Sequence, residues 1–98
     1  MPFRLRLATE VKEHIDALTA RQRSIAFDGI RRHLSEHPLE ESRNRKRMRR
    51  DSVAEWELRL GDLRIYYDVD VQEGTVRILA VGVKLRERVR IGREVIDP

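Results

Sequence analysis

The stretch Trp56-Glu57-Leu58-Arg59-Leu60-Gly61-Asp62-Leu63-Arg64-Ile65-Tyr66-Tyr67-Asp68-Val69 decides the fold. Apolar and polar residues alternate on both sides of a Gly-Asp pair, the period of two half-buried strands joined by a two-residue loop. Gly61 supplies the positive φ that a type II′ turn needs at its first central position. With Gly61 and Asp62 as the loop, Leu60 pairs with Leu63, Arg59 with Arg64, Leu58 with Ile65, Glu57 with Tyr66, and Trp56 with Tyr67. Alternation then sends Trp56, Leu58, Ile65 and Tyr67 to a covered face. Glu57, Arg59, Arg64 and Tyr66 go to the other face, which is expected to be open to solvent because nothing apolar there attracts a further layer.

Downstream, a turn at Gln72, Glu73 and Gly74 leads to another strand over residues 75–81. Upstream, Phe3, Leu5 and Leu7 alternate with Arg4 and Arg6, again a strand. Thr9 is placed to cap a helix whose apolar residues Val11, Ile15 and Leu18 share one face. Thr19 and Gln22 have capping-box spacing, so a second helix is expected from Ala20, with Phe27, Ile30 and Leu34 pointing inward. Pro38 ends it near Glu36. Helices separated by so short a break form an antiparallel αα-hairpin on one face of the sheet. The order β-α-α-β-β-β predicts an α+β domain: an N-terminal strand, the helical hairpin, then a three-stranded antiparallel meander. Residues 1–98 are read as a single domain, in which residues 39–52 form a connection long enough to be mobile.

A chain of 98 residues, 40% of them hydrophobic, holds one core and has no room for a second domain. There are no cysteines, so a disulfide framework and a thiolate metal site are excluded. Arg4 and Arg6 interrupt the apolar residues at the N-terminus, so no signal-peptide core is present, and no stretch approaches the roughly 20 apolar residues of a membrane span. A soluble cytoplasmic protein, without membrane partners, is expected. The net charge of +4 is unevenly placed: residues 43–50 carry six positive charges and no acid, at Arg43, Arg45, Lys46, Arg47, Arg49 and Arg50. Such a run attracts polyanions, or it serves only as a solvated loop.

Arg59 and Arg64 form the leading candidate site. Like charges directly opposite on neighbouring strands cost stability, so a protein that keeps them there has a use for an anion, unless Asp62, Glu57 or a C-terminal acid neutralises them. Tyr66, one pair along, is placed to stack a nucleobase or to rest on the arginine stems. Glu57 is near enough to accept a proton, or to serve as an ion-pair partner. His33 and His37 have the i, i+4 spacing of metal ligands, but no third ligand is apparent and helix-surface histidines explain them. Neither a nucleophile motif nor a phosphate-binding glycine loop is present. No cofactor and no metal are expected.

The quoted stretch, followed by Val76-Arg77-Ile78-Leu79-Ala80-Val81-Gly82 and a basic tail at Lys84, Arg86 and Arg88, resembles the RelE/ParE family of toxins from bacterial toxin-antitoxin modules. The resemblance implies an uncovered concave sheet face and a disordered or helical antitoxin that wraps the toxin. It also implies one of two activities: RelE-like members cleave mRNA in the ribosomal A site without a metal, and ParE-like members block DNA gyrase. It makes the partners the cognate antitoxin with the ribosome and mRNA, or alternatively with gyrase. The toxin itself would be a monomer or dimer, assembled further through the antitoxin.

Carried over to this chain, the resemblance places Arg59, Arg64 and Lys84 around the scissile phosphate as catalytic cations, with Glu57 as a possible base. Preplaced cations there stabilise charge as the 2′-hydroxyl attacks. Tyr66, Arg45, Lys46, Arg47, Arg49, Arg50, Arg86 and Arg88 would contact RNA. Glu57 stands where RelE-like members often have lysine, and Arg90 stands near the expected C-terminal tyrosine or histidine. Loss of a titratable group removes roughly 10² to 10⁴ in rate. Two function classes follow: a ribosome-dependent endoribonuclease, or a toxin that acts by binding gyrase or another protein.

Overall fold

The structure is a computed structural model that describes residues 2–50 and 52–96. Its elements are β1 (Arg4–Leu7), α1 (Val11–Asp16), α2 (Ala20–Leu34), β2 (Arg45–Arg47), β3 (Trp56–Leu60), β4 (Leu63–Asp70), β5 (Thr75–Leu85), β6 (Arg88–Ile91) and β7 (Glu94–Ile96). The strands form one seven-stranded sheet in the order β2-β3-β4-β5-β6-β7, with β1 parallel to the first part of β5. This is the expected α+β arrangement, with the helices on one face. Among the described residues, no helix is long and apolar enough to cross a membrane.

The β3–β4 register is the one the alternation requires, from Leu60 opposite Leu63 to Trp56 opposite Tyr67. Gly61 has φ 59° and Asp62 is not in the left-handed region, as a type II′ turn demands. The main core collects Val11, Ile15 and Leu18 from the α1 segment and Ile30 and Leu34 from α2. The sheet adds Leu58, Ile65, Tyr67, Val76, Ile78 and Val81. Trp56 and Tyr67 stack with ring centroids 6.1 Å apart, and the Tyr67 hydroxyl donates to Pro38 O at 2.7 Å, so the aromatic pair also pins the chain leaving α2.

The capping box at Thr19 forms: Gln22 N–H donates to Thr19 Oγ1, and Thr19 N–H to Gln22 Oε1. Thr9, in contrast, does not cap α1. Glu10 is the N-cap residue, without a side-chain cap. Phe27 is not part of the inward stripe either: it is 36% exposed, while Ala26, Gly29, Ile30 and Leu34 face the core. Gly29 sets that rotation, since a Cβ there would meet Leu60 Cδ1 at 2.2 Å, so the helix approaches β3 along its glycine.

Two parts of the sheet were not expected. Residues 39–52 do not run as a plain loop, because Asn44 and Arg59 exchange bonds (Arg59 N–H to Asn44 O at 2.6 Å, Asn44 Nδ2 to Arg59 O at 2.9 Å) and β2 pairs with β3. Beyond the expected end at residue 81, β5 continues to Leu85 and leads through β6 and β7.

Candidate functional site

Arg59 and Arg64 stand opposite each other in the ladder, and the next row holds Glu57 opposite Tyr66. β2 extends that row by placing Lys46 opposite Glu57, and β5 extends the arginine row by placing Gly82 opposite Arg64. The hairpin therefore delivers the expected residues to one face, but the face is not open. Tyr66 is 1% exposed and packs in a second small core with Ala54, Ala80 and Val89, flanked by Met48, Leu79, Ile91 and Ile96.

The covering is a consequence of β5. Its pairing with β4 shifts between Tyr66 and Tyr67, which leaves Leu79 without a Cα partner and increases the local twist. At Gly82 a Cβ would meet Arg90 O and Val89 Cγ1, both at 2.7 Å, so the absent side chain admits β6. The β6–β7 hairpin and the segment around Met48 and Ala54 then supply the apolar residues that bury Tyr66. The aromatic ring is accordingly not free to stack a base. Its hydroxyl is buried with no partner in hydrogen-bond geometry among the described residues. Burial, and then the nearby Glu57 carboxylate, push its pKa far above that of an ordinary tyrosine, which keeps the group neutral.

The two arginines do not form a vacant anion trap. Arg59 Nε donates to Glu57 Oε1 at 2.6 Å, and the Glu57 side chain is 7% exposed against 41% for Arg59. Arg64, 8% exposed, turns back on its own hairpin and donates from Nη1 to Gly61 O at 2.6 Å and to Leu63 O at 2.9 Å. Cross-strand repulsion is thus relieved inside the protein, by a carboxylate for one guanidinium and by carbonyl dipoles for the other. Lys84 is exposed, and its backbone N–H donates to Asp62 O at 2.7 Å, which holds it at the turn end of the same hairpin. Arg86 is exposed at the next turn with φ 55°, and Arg88 opens β6.

The basic run does not form one surface. Arg45 and Arg47 pair with Leu58 and Trp56, on the side of the sheet that carries the helices. Arg45 Nε donates to Glu40 O at 2.9 Å and Nη1 to His33 Nδ1 at 2.9 Å, while the Arg47 guanidinium sits 5.8 Å from the Trp56 ring centroid. Both brace the fold. Lys46 faces the Glu57 side, and Arg49 and Arg50 are exposed in the loop that follows. Burial, and then Arg45, lower the pKa of His33, so it remains an acceptor. His37 hydrogen-bonds to Glu40, so the two histidines have separate partners.

Asn44 and Gly82 matter here and were not singled out from the sequence. A lone glycine inside an apolar strand was a readable sign of close backbone approach; Asn44 gave no local signal.

A family model described as the ParE toxin of the type II toxin-antitoxin system, parDE, matches residues 4–87. No curated protein matches the chain. Among solved structures, the fold is similar to the toxin-antitoxin complex RelBE2 from Mycobacterium tuberculosis, with TM-score 0.75 and 27% identity over 86% of this chain and 93% of that one. It is also similar to the archaeal RelE-RelB complex from Pyrococcus horikoshii OT3, with TM-score 0.70 and 19% identity over 88% and 99% of the two chains. The second likeness is one of fold alone.

Proposed function

The chain belongs to the ParE toxin family of type II toxin-antitoxin systems, and from that premise we propose that it acts by binding a protein target, DNA gyrase, rather than by cutting RNA. The carrying observation is the internal satisfaction of the cationic site. Arg59 is held by the buried Glu57 carboxylate, and Arg64 is held by two carbonyls of its own turn. A scissile phosphate would have to displace a 2.6 Å ion pair before meeting the first guanidinium, and a base would find Tyr66 already covered. Electrostatic catalysis draws its advantage from donors that are already aimed at the reacting atoms. These are aimed at the protein itself.

The partner that restrains the toxin is a cognate antitoxin, as in the two complexes whose fold this chain shares. The toxin is a monomer or dimer on its own, and higher assembly comes through the antitoxin. One observation favours the ribonuclease reading as a second possibility: Lys84 is exposed and fixed beside the turn that carries Arg59 and Arg64. In that reading Arg59, Arg64 and Lys84 orient the phosphate on ribosome-bound mRNA, and Glu57 takes the proton of the attacking 2′-hydroxyl. The test is a gyrase supercoiling assay with purified full-length protein. Inhibition that persists in Arg64→Ala is the expected result. An uninhibited gyrase, tested with toxin that still arrests growth, would overturn the proposal.

A further inference from the structure

We propose that the β6–β7 hairpin is a cover over Tyr66 that neutral His14 holds shut and that protonation of His14 releases. The inference concerns how the face beneath the hairpin is closed, and it does not depend on the target of the toxin.

Two strands share one edge of β5. β1 runs along it as far as Ile78, and β6 takes it up again at Gly82. His14 of α1 fills the interval, where its Nδ1 accepts the Val81 N–H at 3.3 Å. An accepting Nδ1 carries no proton, so the neutral ring keeps its proton on Nε2. The same ring supports the cover: a Cβ at Gly92, in the β6–β7 turn, would meet His14 Cδ2 at 3.3 Å, so the turn lies against the edge of the imidazole. One side chain therefore joins α1, the middle of β5 and the tip of the hairpin.

The hairpin can lift without unfolding the domain. Its ladder to the rest of the sheet runs only from Gly82 opposite Ile91 to Leu85 opposite Arg88. Val89, Ile91 and Ile96 pack in the small core with Tyr66, apart from the main core that the helices cover. Segments with so few contacts of their own open at lower free energy than the whole fold. Closure also carries a penalty, because it leaves the Tyr66 hydroxyl buried with no partner in hydrogen-bond geometry among the described residues, and lifting the cover hydrates it. The closed and open states are thus nearer in free energy than the burial of three aliphatic side chains implies, and one titration is enough to shift their balance.

Protonation removes the acceptor. An imidazolium has an N–H on both nitrogens, so Nδ1 would face the Val81 N–H donor against donor, and the ring must turn away. A cleft of about 570 Å³ lies beside it, lined by Glu10, Glu13 and Asp16 from α1 and by Arg93 and Glu94 from the hairpin, with no charged residue of β5. Glu13 and Glu10 are the carboxylates that act on His14, while on the hairpin side Glu94 is accompanied by Arg93. The imidazolium is drawn along its own helix and away from Gly92. Burial outweighs the two carboxylates and lowers the His14 pKa in the closed form. Closure is therefore complete above pH 6.5, the ordinary value regained by a freed ring, and is lost as pH falls from there through the lowered closed-state value.

The experiment follows amide hydrogen exchange of the full-length protein by mass spectrometry at pH 7.5 and 5.5, with rates corrected for the intrinsic pH dependence of exchange. At pH 7.5 residues 88–96 should open at least about tenfold more often than the β3–β4 ladder, as an independent unit does. Their opening should rise about threefold to tenfold at pH 5.5, tenfold being the ceiling for one group that titrates near 6.5 in the open form. His14→Asn places a non-titrating Oδ1 where Nδ1 stands and should abolish that rise, whereas His33→Gln should leave it in place. Gly92→Ala puts a Cβ against the ring at a φ of 62° and should open the hairpin at pH 7.5 while the β3–β4 ladder stays protected. Exchange of the hairpin and the ladder at one common rate, a rise that persists in His14→Asn or vanishes in His33→Gln, or a hairpin better protected at pH 5.5 would each overturn the proposal.

Discussion

Replacing Arg59 by alanine should destabilise the protein, although its side chain is half-exposed and stands opposite another arginine. On charge alone the substitution relieves repulsion with Arg64. In the structure Arg59 is the ion-pair partner of Glu57, at 2.6 Å, and the Glu57 side chain is 7% exposed. Breaking a fully buried pair from one side costs about 3–5 kcal/mol, because the remaining charge stays desolvated. Solvent around the 41% exposed arginine screens this pair, which reduces the expected cost to about 2 kcal/mol. For a domain of this size each kcal/mol shifts the midpoint by about 4–8 °C, so Arg59→Ala should melt about 8–16 °C lower at neutral pH. Glu57→Gln should cost less, and the double variant Glu57→Gln/Arg59→Ala should be more stable than Arg59→Ala alone, with a coupling of about 1–2 kcal/mol in urea or thermal unfolding. An Arg59→Ala protein as stable as wild type, or a double variant no better than Arg59→Ala, would refute the claim that Glu57 consumes this cation.

Gly82→Ala should cost about 1–3 kcal/mol, because the new methyl meets the Arg90 carbonyl oxygen at 2.7 Å, and should expose Tyr66, read as a blue shift of tyrosine absorbance in the near-UV difference spectrum. Tyr66→Phe should be neutral or stabilising by up to about 1 kcal/mol, since it removes a buried hydroxyl that lies near the Glu57 carboxylate but has no partner in hydrogen-bond geometry among the described residues; a loss above about 1 kcal/mol in denaturant unfolding would show instead that the hydroxyl donates to Glu57. Burial lowers the pKa values of His14 and His33 below the ordinary 6.5, the latter with help from Arg45. Their neutral forms accept from Val81 N–H and Arg45, so this stability is fully present above pH 6.5 and is lost as pH falls through the lowered folded values. A thermal midpoint that declines below pH 6.5, less steeply in His33→Gln, is the expected profile.

The β3–β4 hairpin was legible because its period of two and its Gly-Asp turn fix register without any long-range knowledge. The inward faces of the helices were mostly legible, but Phe27 was misplaced because the contact of Gly29 with Leu60 decides the helix rotation, and a glycine carries no apolar signal of its own. β2 was hidden because Arg-Lys-Arg has no apolar alternation; its ladder depends on Asn44 meeting Arg59 across the sheet. The β6–β7 hairpin was visible in principle, since Val89 and Ile91 alternate with arginines before Gly92, which has φ 62°. The residues of the cationic site were correctly brought together, yet their state was not. Whether Arg59 chooses Glu57 or an external phosphate, and whether Tyr66 is covered, depends on segments far along the chain, where alternation alone says nothing.

The most direct test is to map mRNA 5′ ends in cells after inducing the wild-type toxin without its antitoxin. A protein whose cations are satisfied internally and whose target is a protein should arrest growth without creating new codon-phased 5′ ends. Codon-phased ends that accumulate on translated messages with wild type and disappear with Arg64→Ala would contradict the account, and would return Arg59, Arg64 and Lys84 to the role of an RNA-cleaving site.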